Sequence, residues 1–102
     1  MLHVVISDLA KADTLEILRR LAEVAGYAVA EKYADRFDRL YDRLAVNPEI
    51  YQARRRLGPG VRVAVVFPYL VAYRYRRGGA TLSIVRVVHG RRRLTRSLLA
   101  NR

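Results

Sequence analysis

Residues 50–102 contain thirteen arginines and no aspartate, glutamate or lysine. A guanidinium is planar, permanently charged and carries a fork of donors, so this half of the chain is equipped to grip carboxylates or phosphates bidentately. Arginine-biased codon usage would give the same preference for arginine over lysine. Residues 1–49 differ sharply, with seven Lys/Arg against nine Asp/Glu, so the halves carry −2 and +13. The basic half cannot neutralise itself; its counter-charge must come from the N-terminal helices, from nucleic acid or from an acidic protein. Composition also excludes an ordinary hydrolase with a carboxylate base in that half. His3 and His89 are the only histidines and cysteine is absent, so no metal-ligand set is legible. No GxxxxGK, HExxH, GxSxG or glycine-rich dinucleotide turn occurs, and neither a metal nor another cofactor is expected.

The elements that position these cations lie between Val61 and Leu94. Three runs of β-branched and aromatic residues, separated by Pro68 and by Gly78-Gly79, read as consecutive strands. By parity, Val61, Val63, Val65 and Phe67 share one face and Arg62, Ala64 and Val66 the other. Tyr69, Val71, Tyr73 and Tyr75 line one side of the next run, opposite Leu70, Ala72, Arg74 and Arg76. The last run is apolar on both faces, which implies cover on both. There Arg86 interrupts the row Leu82, Ile84, Val88, and His89 closes the row of Val85 and Val87.

The N-terminal half reads as strand, helix, helix. LHVVI is a short strand, and Ser7-Asp8 suit a helix start. Ala10, Thr14, Ile17, Leu21 and Val24 then form an apolar stripe that Gly26 stops. Ala30, Tyr33, Phe37, Leu40 and Leu44 mark a second helix, ended by Asn47-Pro48. Its outer charges, including the spacings Asp35–Arg39 and Lys32–Asp35, read as a solvated face. The connector PEIYQARRRLGPG holds Arg54, Arg55 and Arg56, which read as solvated cations able to add phosphate contacts. The length fits one domain, 1–102, with a single modest core. With neither a leader nor a membrane-length apolar run, a cytoplasmic protein is expected.

PYLVAYRY followed by IVRVVHGRRRL resembles the closing pattern of the ParE branch of the RelE/ParE toxins of type II toxin–antitoxin pairs. Arg62, Tyr69, Tyr73, Arg74, Ile84, Arg86, Val87, His89, Gly90, Arg91 and Arg92 fall on that pattern, while Arg93 stands where the family commonly has Asp. The resemblance implies a two-layer α+β fold: strand, helix, helix, three antiparallel strands and a short basic tail, the helical hairpin on one face and a hollow opposite. It places the first strand at an edge beside the second strand. It further implies a toxin that blocks DNA gyrase by binding, in a hetero-oligomer with a ParD-like antitoxin until released. The alternative within the superfamily is a RelE-like mRNA endonuclease working on the ribosome, for which Arg62, Arg74, Arg86 and His89 would supply the cleaving set. The tail RRRLTRSLLANR has no Tyr or His after His89, unlike RelE-type nucleases, which lowers that alternative.

Target or antitoxin contacts are expected at Arg62, Tyr69, Tyr73, Arg74, Arg91, Arg92 and Arg93. Within this set Arg62 and the Arg91–Arg93 cluster are the better candidates, because strand-edge and post-strand arginines carry fewer structural obligations. Arg62→Ala is accordingly expected to abolish toxicity without unfolding the chain. Arg86 is expected to be partly buried and paired with a helix acid such as Asp13 or Asp38. The tyrosines are expected to pack, and His89 more often serves a turn hydrogen bond than catalysis.

Overall fold

The computed structural model describes residues 1–100; Asn101 and Arg102, at the end of the basic tail, lie outside the described residues. The order is β1 (His3–Ile6), α1 (Asp8–Ala25), α2 (Tyr27–Val46), a 3-10 turn (Arg55–Leu57), β2 (Val61–Val66), β3 (Tyr69–Tyr75), β4 (Thr81–His89) and a short helix α3 (Arg96–Ala100). This is the expected α+β order, with the basic tail ending in one further helical turn. Ser7 caps α1 by accepting from the Ala10 amide, and Gly26, at φ 98°, separates α1 from α2 in a conformation that favours glycine. The pairs Asp35–Arg39 and Lys32–Asp35 do not close as ion pairs; the exposed helix pairs that do are Arg19–Glu16 and Arg19–Glu23, both on α1.

The four strands lie in the order β1-β4-β3-β2. β2, β3 and β4 form an antiparallel meander, and β1 runs parallel to β4. β1 is thus at an edge as expected, but its neighbour is β4 and not the second strand. Burial explains the choice. Leu82, Ile84, Val85, Val87 and Val88 are all buried, so β4 needs a central place, whereas β2 carries Arg62 and the half-exposed Val65 and suits an edge.

One core lies between the sheet and the helices, where Ala10, Phe37, Leu40 and Leu44 meet Ala64, Val66, Val71, Tyr73, Leu82, Ile84 and Val87. Burying side chains such as Phe37 and Leu40 contributes roughly 1.5–3 kcal/mol each. The opposite face, expected to be hollow, is filled over its middle and stays open around Arg74, Arg76 and Ser83. Leu57 from the 3-10 turn and Leu99 from α3 pack on Val61, Val63, Ala72 and Val85 in a second core.

Parity holds along β2 and β3 and fails in β4. Ala72 pairs with Arg86 but Tyr73 pairs with Ile84, so Val85 is an extra residue in a bulge. Arg86 and Val88 therefore do not continue the row of Leu82 and Ile84; Val87 and His89 do. β1 stops at Ile6, level with Ile84, and leaves the rest of β4 with an open side. The start of α1 closes it, because Ser7 Oγ donates to the Val85 carbonyl and Asp13 Oδ2 accepts from the Val87 amide.

Candidate functional site

The sheet brings together some of the expected site residues and separates others. Arg62, Tyr73 and Arg74 lie where β2 begins and β3 ends. Tyr69, His89, Arg91 and Arg92 lie at the far end of the same strands, since Tyr69 pairs with His89 and the Gly90 amide donates to the Pro68 carbonyl. Six residue steps along β3 put the two ends roughly 20 Å apart.

At the first end Arg62 is tied down, contrary to the expectation that it carries few structural obligations. Its side chain is 15% exposed, Nη1 donates to the Tyr51 carbonyl, and Nη2 lies 3.9 Å from Glu49. Tyr73 is fully buried beside it and donates to the Pro48 carbonyl at 2.8 Å. Burial pushes its hydroxyl up to about 12, against the opposing pull of the Arg62 charge, so it is a neutral donor at physiological pH. Arg62 and Tyr73 together anchor the segment that leaves α2. Parity and the pairing of Arg62 with Tyr73 could have shown this, because that face belongs to the helices.

Arg62→Ala is therefore expected to lower stability by about 1–3 kcal/mol through the lost charge-assisted hydrogen bond, read from denaturant unfolding. An unchanged unfolding midpoint with lost toxicity would instead restore the contact role. Across the sheet, Arg74 joins Arg76, Arg77, Thr81 and Ser83 around an open pocket of about 490 Å³ that Arg62 also borders. Arg77 forms a two-bond pair with Glu49, at 2.6 and 3.1 Å, and this holds the Glu49 carboxyl below the usual carboxylate range. That pair stabilises at neutral pH, and its contribution is lost as pH falls through the depressed value.

The second end is a larger groove of about 800 Å³ between α1 and the end of β4. Ile17, Leu21 and Val24 supply one wall, Tyr69, Val87, Val88 and His89 the floor, and Arg20, Arg91 and Arg92 the cations of the rim, while the two carboxylates that also line the groove, Asp13 and Glu16, are paired with Arg86 and Arg19. Tyr69 is held edge-on by Tyr33 at 5.8 Å and by His89 at 5.7 Å between ring centroids. His89 Nδ1 accepts from the Arg91 amide at 3.1 Å, the turn role expected of it. Arg91, Arg92 and Arg93 are exposed and enter none of the ion pairs formed among the described residues. Sequence reading missed Arg20 and the exposed end of the α1 stripe. The available signal was Val24, which continues the stripe past the last residue that a short sheet can cover.

Arg86 is committed elsewhere. Its Nε and Nη2 donate to both Asp13 oxygens at 2.7 and 2.9 Å, and Nη1 donates to the Leu98 carbonyl at 3.4 Å. Cleavage of a phosphodiester requires donors and a proton carrier converging within hydrogen-bond reach of one reacting group. The set Arg62, Arg74, Arg86 and His89 does not converge: Arg62 and Arg74 border one open pocket, but the Arg62 guanidinium is turned to the Tyr51 carbonyl, Arg86 is locked to Asp13, and His89 is at the other end. Among the described residues there is also no group of three or more His, Asp or Glu that could hold a metal, and no helix long and apolar enough to cross a membrane.

Residues 4–94 match the family model described as the ParE toxin of the type II toxin–antitoxin system parDE. The chain is similar to Toxin ParE3 of Caulobacter vibrioides, with 31% identity over 86 residues covering 84% of each chain. Its fold is similar to that of a chain in the solved chromosomal ParDE TA system from P. aeruginosa, with a TM-score of 0.71, 21% identity, and coverage of 87% of this chain and 96% of that one.

Proposed function

This chain belongs to the ParE toxins of type II toxin–antitoxin systems, and from that premise we propose that it acts in the cytoplasm by binding DNA gyrase and blocking replication until a ParD-like antitoxin covers it. The observation that carries this reading is the groove at the end of β4. It joins an apolar wall to unpaired arginines, which suits a surface that recognises a protein or the phosphates of its DNA. The dispersed arginines and histidine favour binding over turnover. The middle of the face opposite the helices is an apolar core filled by Leu57 and Leu99, and the open polar pocket beside it, around Arg74 and Arg76, is lined by neither a histidine nor a carboxylate.

Purified protein, gyrase, relaxed plasmid and ATP provide the test, beside a translating-ribosome mRNA cleavage assay. Cleaved plasmid should accumulate while the message stays intact. Arg91→Ala combined with Arg92→Ala should weaken the gyrase effect by about tenfold or more, the loss expected from two charge-assisted contacts. Cuts at codon positions in the message, with gyrase unaffected, would replace this reading by the endonuclease one.

A further inference from the structure

All nine acidic side chains lie in residues 8–49: eight on α1 and α2, which pack on one face of the sheet, and Glu49, which is paired with Arg77. The opposite face therefore carries no acidic side chain of its own. Register shows what it carries instead. Val5, Ser83, Arg74 and Val61 are successive partners across β1, β4, β3 and β2, so they share one face, and Val61 is buried there in the second core. Two residues on, Arg76 just past β3 and Thr81 at the start of β4 turn to the same face, and both are exposed. Beyond them His3 of β1, the partner of Thr81, extends the row.

Arg74, Arg76, Thr81 and Ser83 thus bring two guanidiniums and two hydroxyls to the open pocket of about 490 Å³. Neither Arg74 nor Arg76 enters an ion pair formed among the described residues. The 3-10 turn that covers the middle of the same face adds exposed Arg55 and Arg56, and α3 adds exposed Arg96. Arginine and hydroxyl donors of this kind are the groups that contact nucleic-acid phosphates. The surroundings narrow the choice of ligand. A single strand is held by bases stacked on aromatic rings, whereas Tyr75, the aromatic residue at this pocket, packs on the helix-side core. A protein partner needs an apolar anchor, and these rows expose only Val5, at their margin.

We propose that this face binds the phosphate backbone of duplex DNA without reading its bases, with Arg74 and Arg76 as the central contacts and the arginines of the 3-10 turn and α3 as flanks. The face projects no long helix or ribbon into a major groove, and its arginines are spread over three elements, so the contacts are to the backbone alone. The biological setting rests on the gyrase reading above and deepens it: the groove behind Arg91 and Arg92 would hold the enzyme while this face holds the DNA that the enzyme has engaged. The DNA site itself is testable without gyrase.

Fluorescence anisotropy with short labelled duplexes of two unrelated sequences, read over a range of salt, tests the site in the full chain. Both duplexes should bind alike, with affinity falling as salt rises. Arg74→Ala with Arg76→Ala should weaken binding by about tenfold or more at low salt and reduce the slope of log affinity against log salt by about 2, one for each phosphate contact. Arg76→Ala alone, at an exposed position, should reduce the slope by about 1. Arg39→Ala with Arg43→Ala removes the same charge from the exposed side of α2 and should change affinity by less than about twofold, since salt screens charges on the far layer. Equal losses in the two double variants would mean that DNA senses net charge only, which overturns the face. Tighter binding of a single-stranded RNA of the same length, or equally effective displacement of the duplex by polyglutamate, overturns it as well. The gyrase assay on the same variants separates the two readings. Weakened duplex binding with less cleaved plasmid supports both. Weakened duplex binding with undiminished cleaved plasmid keeps the site and overturns its part in gyrase poisoning. An unaltered chain that binds the duplexes and leaves gyrase untouched keeps the site and overturns the gyrase reading.

Discussion

Replacing Asp13 by alanine is expected to remove about 3–5 kcal/mol of unfolding free energy, the usual cost of stranding one member of a buried ion pair. The side chains of Arg86 and Asp13 are 11% and 16% exposed, so the guanidinium left behind would have little water to replace two carboxylate bonds. The same substitution strips the acceptor from the Val87 amide. Both losses fall on the open side of β4, where α1 stands in for a missing strand. Urea unfolding measures the effect directly. A variant carrying both Asp13→Leu and Arg86→Met should lose far less than the two single changes combined, because neither charge is then stranded. A loss under about 1 kcal/mol for Asp13→Ala would mean that the pair behaves like an exposed one and does not hold the edge.

Leu99→Ala should be nearly as costly, at about 2–4 kcal/mol for a fully buried leucine. Leu99 has no exposed surface and, with Leu57, closes the face of the sheet opposite the helices. The lost side chain would leave a cavity between α3 and the 3-10 turn, and among the described residues α3 would keep only the bond from Arg86 to the Leu98 carbonyl as a polar tie to the sheet. Ser97→Ala, exposed on the same short helix, should change unfolding by less than about 0.5 kcal/mol. If both substitutions prove equally mild, α3 is not docked, and the second core is confined to the sheet and Leu57.

The sequence made the helices and the meander legible because their signals are local. The stripe Ala30, Phe37, Leu40, Leu44 is buried as its spacing requires, Ser7 caps α1, and α2 stops before Pro48. The pairing of Arg86 with Asp13 was also readable, since an arginine among apolar strand residues needs an acid and the first helix offered one. What stayed hidden depends on three-dimensional register. The bulge at Val85 carries no Gly or Pro to mark it, yet it moves Arg86 and Val88 away from the row of Leu82 and Ile84. The place of β1 depended on which strand most needed a second neighbour, a property of burial and not of β1 itself. Arg62 illustrates the same limit within the site. A strand arginine near an edge has few obligations only if no loop lies over it, and Tyr51 and Glu49 were distant enough in character to pass as connector. Leu57 and Leu99 were missed because single apolar residues in a loop and a tail show no period.

The central position of β4 also governs the order in which the protein can be completed as it is made. β4 leaves the ribosome after β1, β2 and β3, yet it is the strand to which both β1 and β3 bond. Ser7 and Asp13 wait for acceptors and donors 74 to 78 positions later in the chain. Until β4 has emerged, β1 has no neighbour, α1 has no edge to seal, and the groove behind Arg91 and Arg92 has no floor. Such long-range closure makes assembly slow and late. The groove proposed above as the working surface therefore forms only in the last stage of synthesis, once β4 has joined β1 and β3.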